Sequence, residues 1–480
     1  MASTKQSHRH ITNMPILGTA SVEHARAINL ASDKTKILIL PALNREFESG
    51  DDQPDKKPSI LSGLNSIFNV TCKRPKSAME GILPVLKKAN YIDHIIIGLD
   101  AANREQYEKV RQLIQKAKLP QTVHILWNDG PQIQQWREDL ASETYNDRPL
   151  APTKKGKGRN VWGCAGYAKA LMEQEGIDPS NAIVAMHDAD IVTYSEFMVA
   201  RLFQPMCLKT EEGDDFNYDY AKGYYARYTD EKLNARVTRL FGPPLMDSLA
   251  RTLQDNAEYN RSGLRELVHY FRSFNYMFSG EMAFSGRLLN EVELPNDYSL
   301  EIRLLEQVYK LTKASGRLVA DVEIAEKYDH HHQGMDSLEE MTTQISAALF
   351  DIANEKINLT QTIIDTLTAK YLDRAVPLAQ KFHATALMNN LTTNLQKEQE
   401  TVELFAKSLP KAFERMNEGL ERPSHSWNSI SQHRPNATTT LLSAVNKDQG
   451  IIQPYKEQSA PEQIKTAISQ IGRSWILGQK

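Results

Sequence analysis

Two aspartates stand directly after an apolar run of the sequence. Asp188 and Asp190 flank Ala189 and follow residues 182–186, whose sequence is AIVAM. Carboxylates one residue apart, where the chain leaves a sheet, can supply hard oxygen ligands to Mg²⁺ or Mn²⁺ while a diphosphate supplies others. Such pairs also occur as solvated turns, but the preceding apolar strand favours metal binding. We therefore expect Asp188 and Asp190 at a divalent-metal site.

Three consecutive histidines, residues 330–332, offer a second kind of metal ligand. Imidazole binds divalent metals well, and a run of three presents at least one ring in most orientations. The histidines follow a strand-like run at residues 318–324, which favours a return to the sheet edge where Asp190 lies. One of the three could then close the metal site. The alternative is a polar loop between two domains.

A glycine-lysine-glycine loop provides a candidate phosphate site. Lys154 and Lys155 precede Gly156-Lys157-Gly158, and a helix is expected to start near Asn160. Glycines allow close approach of the backbone, and lysine is a compact phosphate-binding charge. The spacing differs from that of a Walker A loop. The alternative is a flexible basic loop on the surface.

Basic residues between positions 222 and 239 could hold an anionic acceptor. Lys222, Arg227 and Arg236, with the hydroxyl of Thr238, combine an ammonium with planar guanidinium groups that suit carboxylate or phosphate. A helix that shows Arg236 and Arg239 only to solvent is the alternative. The many aromatic residues of residues 218–276 could form the wall of an acceptor pocket or a buried packing layer.

The elements that must position these residues follow an α/β pattern. Short apolar runs at residues 36–40, 94–99, 122–127 and 182–186 alternate with amphipathic stretches such as residues 104–118. This alternation is typical of a parallel sheet covered by helices. Ligands of such sheets lie beyond the carboxyl ends of the strands, so we expect the chemistry in the loops that follow these runs.

The composition changes after residue 334. Residues 335–416 are rich in Ala, Leu, Glu, Gln, Lys and Thr, which predicts about three helices, broken near Pro377 and Pro410. Residues 422–480 are polar and rich in turn-forming residues.

The bulk composition excludes several classes of partner. The 480 residues carry 57 Lys and Arg against 60 Asp and Glu, and a net charge of −3 provides no field that would collect nucleic acid or an anionic membrane. The three cysteines are scattered, which suits a reducing compartment. No signal peptide and no run of about 18 apolar residues is found. We therefore expect a cytoplasmic protein that binds neither nucleic acid nor membrane.

Taken in order, these segments resemble the retaining GT-A transferases of the glucosyl-3-phosphoglycerate synthase family and, more loosely, mannosylglycerate synthases. The resemblance covers about residues 36–335. Arg45, Ala101, Arg239 and Ser279 differ from the family pattern. The matching segments are Leu40-Pro41-Ala42-Leu43-Asn44-Arg45-Glu46, Asp100, Gly156-Lys157-Gly158, Asp188-Ala189-Asp190, Arg236-Val237-Thr238-Arg239-Leu240, Ser279-Gly280-Glu281, Glu301-Ile302 and His330.

The resemblance implies a role for each matching residue. The nucleotide-sugar donor would be held by Pro41, Ala42, Leu43, Glu46, Asp100, Lys157, Asp188 and Ala189. The divalent metal, Mg²⁺ or Mn²⁺, would be bound by Asp190 with His330, next to Asp188. The small anionic acceptor would be held by Arg236, Val237 and Thr238, with Lys222 and Arg227 nearby. Glu281 would line the reaction centre and, with Asp190, serve catalysis.

The resemblance also implies an architecture. A Rossmann-like mixed sheet flanked by helices, the GT-A fold, would carry an α-helical C-terminal extension. Residues 1–35 would precede the domain, residues 36–210 would bind the nucleotide sugar, residues 211–334 would bind the acceptor, and residues 335–480 would form the helical extension with its polar tail. Members of the family are often dimers, and the extension could serve that purpose.

The implied activity is metal-dependent transfer of glucose from a UDP-type donor to 3-phosphoglycerate or a similar small anion, with retention of configuration. In such enzymes the acceptor attacks the face from which the leaving phosphate departs. Two alternatives stay open. One is the same fold with another donor or acceptor, for instance mannosyl transfer to a hydroxy acid. The other is a non-catalytic nucleotide-sugar-binding scaffold whose helical tail binds a partner.

Overall fold

The structure is a computed structural model that describes residues 11–48, 77–228, 231–329 and 335–455. His330, the expected metal ligand, lies outside the described residues together with the two histidines that follow it. The strands are β1 (Ile11–Met14), β2 (Thr35–Leu43), β3 (His94–Asp100), β4 (Thr122–Trp127), β5 (Thr144–Tyr145), β6 (Arg148–Pro149), β7 (Ala182–Met186), β8 (Tyr218–Arg227), β9 (Met282–Ser285), β10 (Leu318–Tyr328) and β11 (Ile451–Ile452).

The helices flank the sheet, and the last described helix ends at Lys447, before β11. They are α1 (Val22–Ala31), α2 (Ala78–Lys88), α3 (Arg104–Ala117), α4 (Pro131–Ala141), α5 (Lys157–Glu175), α6 (Glu196–Cys207), α7 (Gly242–Leu253), α8 (Ala257–Arg261), α9 (Leu264–Arg272), α10 (Gly286–Glu291), α11 (Leu300–Ser315), α12 (Met335–Asn354), α13 (Gln361–Met388), α14 (Leu395–Glu418), α15 (Trp427–His433) and α16 (Ala437–Lys447). No helix of the described ranges is both long and apolar enough to cross a membrane.

Within the described residues, nine strands form one mixed sheet in the order β1-β10-β8-β9-β7-β2-β3-β4-β11. β9 is antiparallel to both of its neighbours and β11 is antiparallel to β4, whereas the other pairs are parallel. The carboxyl ends of β2, β3, β4, β7, β8 and β10 therefore share one edge, and the chain enters β9 at that same edge. The predicted mixed sheet flanked by helices is confirmed.

The central strands are buried on both faces, which explains their continuous apolar runs. Along β2, Ile37 and Ile39 pack into the core on one face, while Leu38 and Leu40 pack into the core on the other. The predicted runs at residues 36–40, 94–99, 122–127 and 182–186 all form strands. β7 has the predicted bounds.

Helix α5 is fixed to the sheet by a close approach at a glycine. The side-chain amide of Asn160 donates to the carbonyl of Gly98 in β3 at 2.8 Å. A Cβ at Gly98 would lie 1.8 Å from Oδ1 of Asn160, so the contact needs a glycine at this strand position. The beginning of α5, at Lys157, is thereby held at the carboxyl edge of the sheet.

The helical C-terminal extension is confirmed, but the predicted breaks near Pro377 and Pro410 are wrong. Pro377 lies inside α13 and Pro410 lies inside α14. α13 packs against both α14 and α7. Because tertiary packing supplies most of the stability of a helix in a protein, it offsets the hydrogen bond lost at each proline. The helices end instead near Asn389 and Gly419.

The described part of the stretch after residue 422, which the sequence predicts to be polar and turn-rich, forms α15, α16 and β11. Trp427 of α15 is buried against Trp162 of α5, with ring centroids 4.7 Å apart. Its indole N–H donates to the carbonyl of Trp162 at 2.9 Å. A few large apolar residues are thus enough to dock an otherwise polar segment, because one buried tryptophan removes a large apolar area from water.

Candidate active site

A cavity of about 630 Å³ opens at the carboxyl edge of the sheet, next to the end of β7. It is bounded by the start of α5, by the ends of β8 and β10, by the segment between β8 and α7, and by α12. The lining includes Lys154, Lys155, Gly156, Lys157, Asp188, Tyr225, Arg227, Arg236, Val237, Tyr276, Gly280, Glu301, Tyr328, Leu338, Met341 and Ile345. The aromatic residues at 225 and 276 are therefore part of a cavity wall.

Lys157 joins the glycine-lysine-glycine loop to the aspartate pair. Its ammonium nitrogen lies 2.6 Å from Oδ1 of Asp188 and 3.8 Å from Oε1 of Glu301. Partial burial works against the charged ammonium, but Asp188 and Glu301 outweigh it and raise the pKa of Lys157. The side chain remains 41% exposed. A positive charge is thus fixed where the cavity meets the end of β7.

Gly280 makes room for Asp188. A Cβ at position 280 would lie 2.6 Å from Oδ2 of Asp188, closer than side-chain contacts allow. The glycine precedes β9 and lies at the edge where β7 ends. The carboxylate of Asp188 therefore packs directly against the backbone of this turn, which fixes its position relative to Glu281.

Glu281 lies behind two tyrosines of the cavity wall. Its carboxylate accepts hydrogen bonds from the hydroxyls of Tyr225 at 2.6 Å and Tyr328 at 2.7 Å. The two rings stack with centroids 3.7 Å apart. Burial, and then the charge of Asp188, raise the pKa of Glu281. Glu281 is covered completely, so the tyrosines separate its carboxylate from the cavity.

The expected acceptor residues occupy different depths. Arg227, Arg236 and Val237 line the cavity. The hydroxyl of Thr238 is buried, without a hydrogen-bond partner among the described residues. The ammonium of Lys222 is completely buried and donates to the carbonyl of Ser279 at 2.7 Å. Burial lowers the pKa of Lys222 to about 8.

Arg236 and Arg239 do not share one solvent-facing surface. Arg236 lines the cavity, whereas Arg239 is buried and forms a two-bonded ion pair with Glu398 of α14. The alternative in which both arginines face only solvent is therefore wrong. The cause is that residues 237–241 form a π-helix, which directs the two side chains differently from a regular helix.

Five of the eight expected donor residues lie at or just after the ends of two neighbouring strands, whereas Lys157 begins α5 and Asp188 and Ala189 follow β7. Pro41, Ala42 and Leu43 form the end of β2, and Leu43 is in register with Asp100 at the end of β3. Oδ1 of Asp100 lies 3.2 Å from a guanidinium nitrogen of Arg159 in α5, and burial raises the pKa of Asp100. The carboxylate of Glu46, in the turn after β2, accepts from Nε of Arg45 at 2.9 Å.

Only part of the expected metal site lies in the described residues. Among them, no group of three or more His, Cys, Asp or Glu residues is arranged to hold a metal ion. The loop that contains Asp188 and Asp190 is, however, joined to the end of β10. The N–H of Val192 donates to the carbonyl of Asp329 at 2.9 Å, and the N–H of Asp329 donates to the hydroxyl of Thr193 at 3.0 Å.

The residue that precedes His330 is thus hydrogen-bonded to the loop that carries Asp190. This contact, together with the oxygen-rich chemistry of the aspartate pair, fits a hard divalent cation completed by an imidazole.

Sequence reasoning assigned no role to Tyr328 or Glu301, and it named Tyr225 only among the aromatic residues that could form an acceptor wall or a packing layer. Tyr225 and Tyr328 meet because β8 and β10 are neighbours in the sheet, a pairing that no local pattern encodes. The sequence singles out Glu301 only within Glu301-Ile302, one of the segments that match the family pattern. It contributes a second carboxylate near Lys157, and burial raises its pKa.

Comparisons with known proteins identify relatives over most of the chain, although no family model matches it. The chain is 30% identical over 426 residues to the glucosyl-3-phosphoglycerate synthase of Persephonella marina, covering 86% of this chain and 91% of that protein. It is 30% identical over 343 residues to the glucosyl-3-phosphoglycerate synthase of Methanococcoides burtonii, covering 70% and 77%.

Solved structures of the glucosyl-3-phosphoglycerate synthase of Mycobacterium tuberculosis are also similar. The complex with phosphoglyceric acid has a TM-score of 0.43 at 17% identity, covering 73% of this chain and 89% of that chain. The complex with Mn²⁺, UDP and glucosyl-3-phosphoglycerate has a TM-score of 0.41 at 16% identity, covering 73% and 88%. Because the relative from Persephonella marina is 30% identical across most of both sequences, the chain belongs to the glucosyl-3-phosphoglycerate synthase family.

Proposed function

We propose that the chain transfers glucose from UDP-glucose to 3-phosphoglycerate, or to a similar small anion, with retention of configuration. Membership of the family supports the reaction class. The observation that carries the proposal is the charge arrangement of the cavity. Lys157 and Asp188 line one side of the cavity, and Arg227 and Arg236 line another. A diphosphate and an anionic acceptor each find cations in the same enclosed space.

The start of α5 is suited to the donor diphosphate. Gly156 and Lys157 line the cavity, and the helix has no side chain that caps its first N–H groups. Free N–H groups at a helix N-terminus, together with the helix dipole, attract phosphate oxygens. Lys157 would add a charge that Asp188 and Glu301 keep protonated. The ends of β2 and β3, next to this helix, would take the uridine.

Asp188 and Asp190 would hold Mg²⁺ or Mn²⁺ together with His330, which follows the tethered Asp329. When bound, such an ion neutralises the charge that develops on a departing diphosphate. The chain's own part is to fix the two carboxylates. Lys157 holds one oxygen of Asp188, and the Cβ-free surface of Gly280 accommodates the other.

The acceptor would lie between the arginines and the tyrosines. Arg227 and Arg236 can pair with phosphate and carboxylate oxygens of a glycerate. The two oxygens of Glu281 are engaged by Tyr225 and Tyr328. This arrangement leaves no exposed carboxylate nucleophile at that point of the wall, which supports attack by the acceptor hydroxyl on the face that the diphosphate leaves.

The proposal is tested with purified full-length protein, UDP-glucose and 3-phosphoglycerate, with Mn²⁺ or with EDTA. We expect UDP release and an α-linked product by NMR with the metal, and neither with EDTA. Asp190→Ala should abolish turnover, whereas Asp255→Ala, at an exposed site, should not. Absence of binding to any nucleotide sugar and to any divalent ion would refute the proposal.

The same assay separates the alternatives. Turnover of GDP-mannose or of another hydroxy acid, with none on 3-phosphoglycerate, would favour the same fold with a different substrate pair. Tight binding of UDP-glucose without product, with a partner that co-purifies, would favour a scaffold. The predicted homodimer, the cytoplasmic location, the absence of nucleic-acid and membrane partners, and the domain limits at residues 35, 210 and 334 stay predictions. Light scattering on the purified protein tests the first of these.

A further inference from the structure

The segment of residues 231–241 connects β8 to α7 and forms one wall of the cavity. We call it the acceptor segment. Lys232, Asn234, Arg236 and Val237 line the cavity from this side. Two helices of the C-terminal extension, α13 and α14, pack against the π-helix of this segment. The extension therefore lies directly behind the residues that face the acceptor.

Arg239 makes a buried polar link between the acceptor segment and the extension. Its two terminal nitrogens lie 2.7 Å and 3.0 Å from the carboxylate oxygens of Glu398 in α14. Its Nε donates to the carbonyl of Asn234 at 2.7 Å. The guanidinium also lies 5.0 Å from the ring centroid of Phe382 in α13. The side chains of Arg239 and Glu398 are 8% and 6% exposed, so water competes little with these contacts.

The hydrogen bond from Arg239 to the carbonyl of Asn234 spans Ala235 and the start of the π-helix. Both have backbone conformations that are unfavourable in isolation. Ala235 has a φ of 62°, which a residue with a Cβ rarely adopts. The π-helix that follows is also a rare conformation. Such conformations persist only where the surroundings impose them. By binding the carbonyl of Asn234, Arg239 closes the loop on either side of Ala235.

Two further contacts hold the ends of the acceptor segment to the extension. The carbonyl of Glu231 accepts from the N–H of Thr392 at 2.6 Å and from its hydroxyl at 2.7 Å. The carbonyl of Leu240 accepts from the hydroxyl of Tyr371 at 2.6 Å. Arg236 and Val237, which face the cavity, lie between these two contacts.

We propose that Arg239 is a positioning residue for the acceptor, which orients Arg236 and Val237 through the carbonyl of Asn234 and is itself held by Glu398. This inference rests on the proposed function, because it presumes that the acceptor binds against this segment. It gives the helical extension a role in acceptor recognition, as an outer support of the site.

Kinetics of the full-length enzyme with UDP-glucose, 3-phosphoglycerate and Mn²⁺ test the inference. Arg239→Lys keeps a charge beside Glu398 but loses the two-bonded geometry and the Nε donor. Glu398→Gln keeps the shape and removes the charge. We expect each to raise the KM for 3-phosphoglycerate roughly tenfold or more, because small displacements of binding groups are costly. The KM for UDP-glucose should change less than twofold.

The matched control is Arg374→Lys. Arg374 also ties α13 to α7, through Asp247 at 3.1 Å, but it lies outside the acceptor segment. Its kinetic constants should equal those of the wild type. If the variants of Arg239 and Glu398 lower only the unfolding temperature, or raise both KM values equally, the residue is structural and the inference fails.

A charge swap separates positioning from simple pairing. Arg239→Glu combined with Glu398→Arg can restore the ion pair, but a carboxylate at position 239 cannot donate to the carbonyl of Asn234. Thermal stability should recover towards the wild-type value while the KM for 3-phosphoglycerate stays high. Full recovery of that KM would overturn the role assigned to the Asn234 contact.

Hydrogen exchange tests the inference without turnover. In the absence of substrates, the amides of residues 234–239 should exchange faster in Arg239→Lys than in wild type, with α5 unchanged. If wild-type protein shows no glucosyl transfer, the proposed function fails, and this exchange experiment still decides whether Arg239 orders the segment. Equal exchange in both proteins would refute the positioning role.

Discussion

The ammonium of Lys157 and the carboxylate of Asp188 are 2.6 Å apart, at the point where α5 and the end of β7 meet. The two residues are 31 positions apart in the sequence, and each stands out there for a different reason. Their contact places the expected phosphate-binding lysine beside the expected metal-binding aspartates. The ammonium of Lys157 thus stabilises the carboxylate of Asp188, which would otherwise repel a diphosphate.

Replacement of Lys157 by methionine should leave the fold intact and reduce kcat/KM by roughly 10²–10³. The substitution keeps the length of the side chain but removes the charge that faces Asp188 and the donor. UDP release under limiting UDP-glucose measures the loss. Lys109→Met, at an exposed pair on α3, is the control and should retain full activity. A change of less than threefold in the Lys157 variant would contradict this role.

Gly280→Ala should inactivate the enzyme without unfolding it. The added Cβ would lie 2.6 Å from Oδ2 of Asp188, so the carboxylate must move away from the cavity. A misplacement of about 1 Å at a binding group costs about 10² in rate. Gly18→Ala is the matched control, because nothing lies within 4 Å of a Cβ there. Equal rates in both variants would show that the position of Asp188 is unimportant.

Glu281→Gln should lower kcat while leaving thermal stability unchanged or higher. Burial and Asp188 disfavour the charged form of Glu281 and raise its pKa, even though Tyr225 and Tyr328 donate to it. A neutral amide removes that cost but also removes the charge at the reaction centre. We expect kcat to fall about tenfold or more. Calorimetry and initial rates on one preparation measure both effects, and a clear loss of stability would contradict the argument.

The substitution Asp321→Asn should raise the free energy of unfolding relative to wild type, and it should do so more strongly at higher pH. Burial raises the pKa of Asp321 from 3.8 to about 6. A folded-state pKa above the unfolded value means that the native protein binds the proton more tightly, so its stability falls as the pH rises through this range. The amide does not titrate and avoids this loss.

The unfolding free energy of Asp321→Asn relative to wild type should therefore increase by about 1–2 kcal/mol between pH 5 and pH 7.5. Urea unfolding at the two pH values measures it. Asp255→Asn, at an exposed position, should show no such trend. A difference for Asp321→Asn that is independent of pH would rule out titration of this carboxyl in the folded state.

The central strands and the ends that carry chemistry could be predicted because both are local. β2, β3, β4 and β7 contain short apolar runs, and polar residues such as Asp100 and Asp188 stand at or just after their ends. The positions of Asp188, Lys157 and Arg236 around one cavity then follow from the rule that parallel strands end at a common edge.

Contacts between distant parts of the chain could not be predicted in this way. Arg239 and Glu398 are 159 residues apart, and no local sequence pattern at either residue predicts that the two form an ion pair. The burial of Lys222 depends on the pairing of β8 with β9, where Ser279 supplies its acceptor. Helix α13 also continues through Pro377, because its packing against neighbouring helices outweighs the tendency of proline to break a helix.

The outermost strands, β1 and β11, come from opposite ends of the described chain. While a ribosome is still making the chain, β4 has no outer neighbour until residues 451–452 have emerged. An uncovered strand is a template for pairing with other molecules. Loss of residues 451–452 would therefore leave β4 exposed and cause newly made protein to aggregate, although these residues lie far from the catalytic cavity.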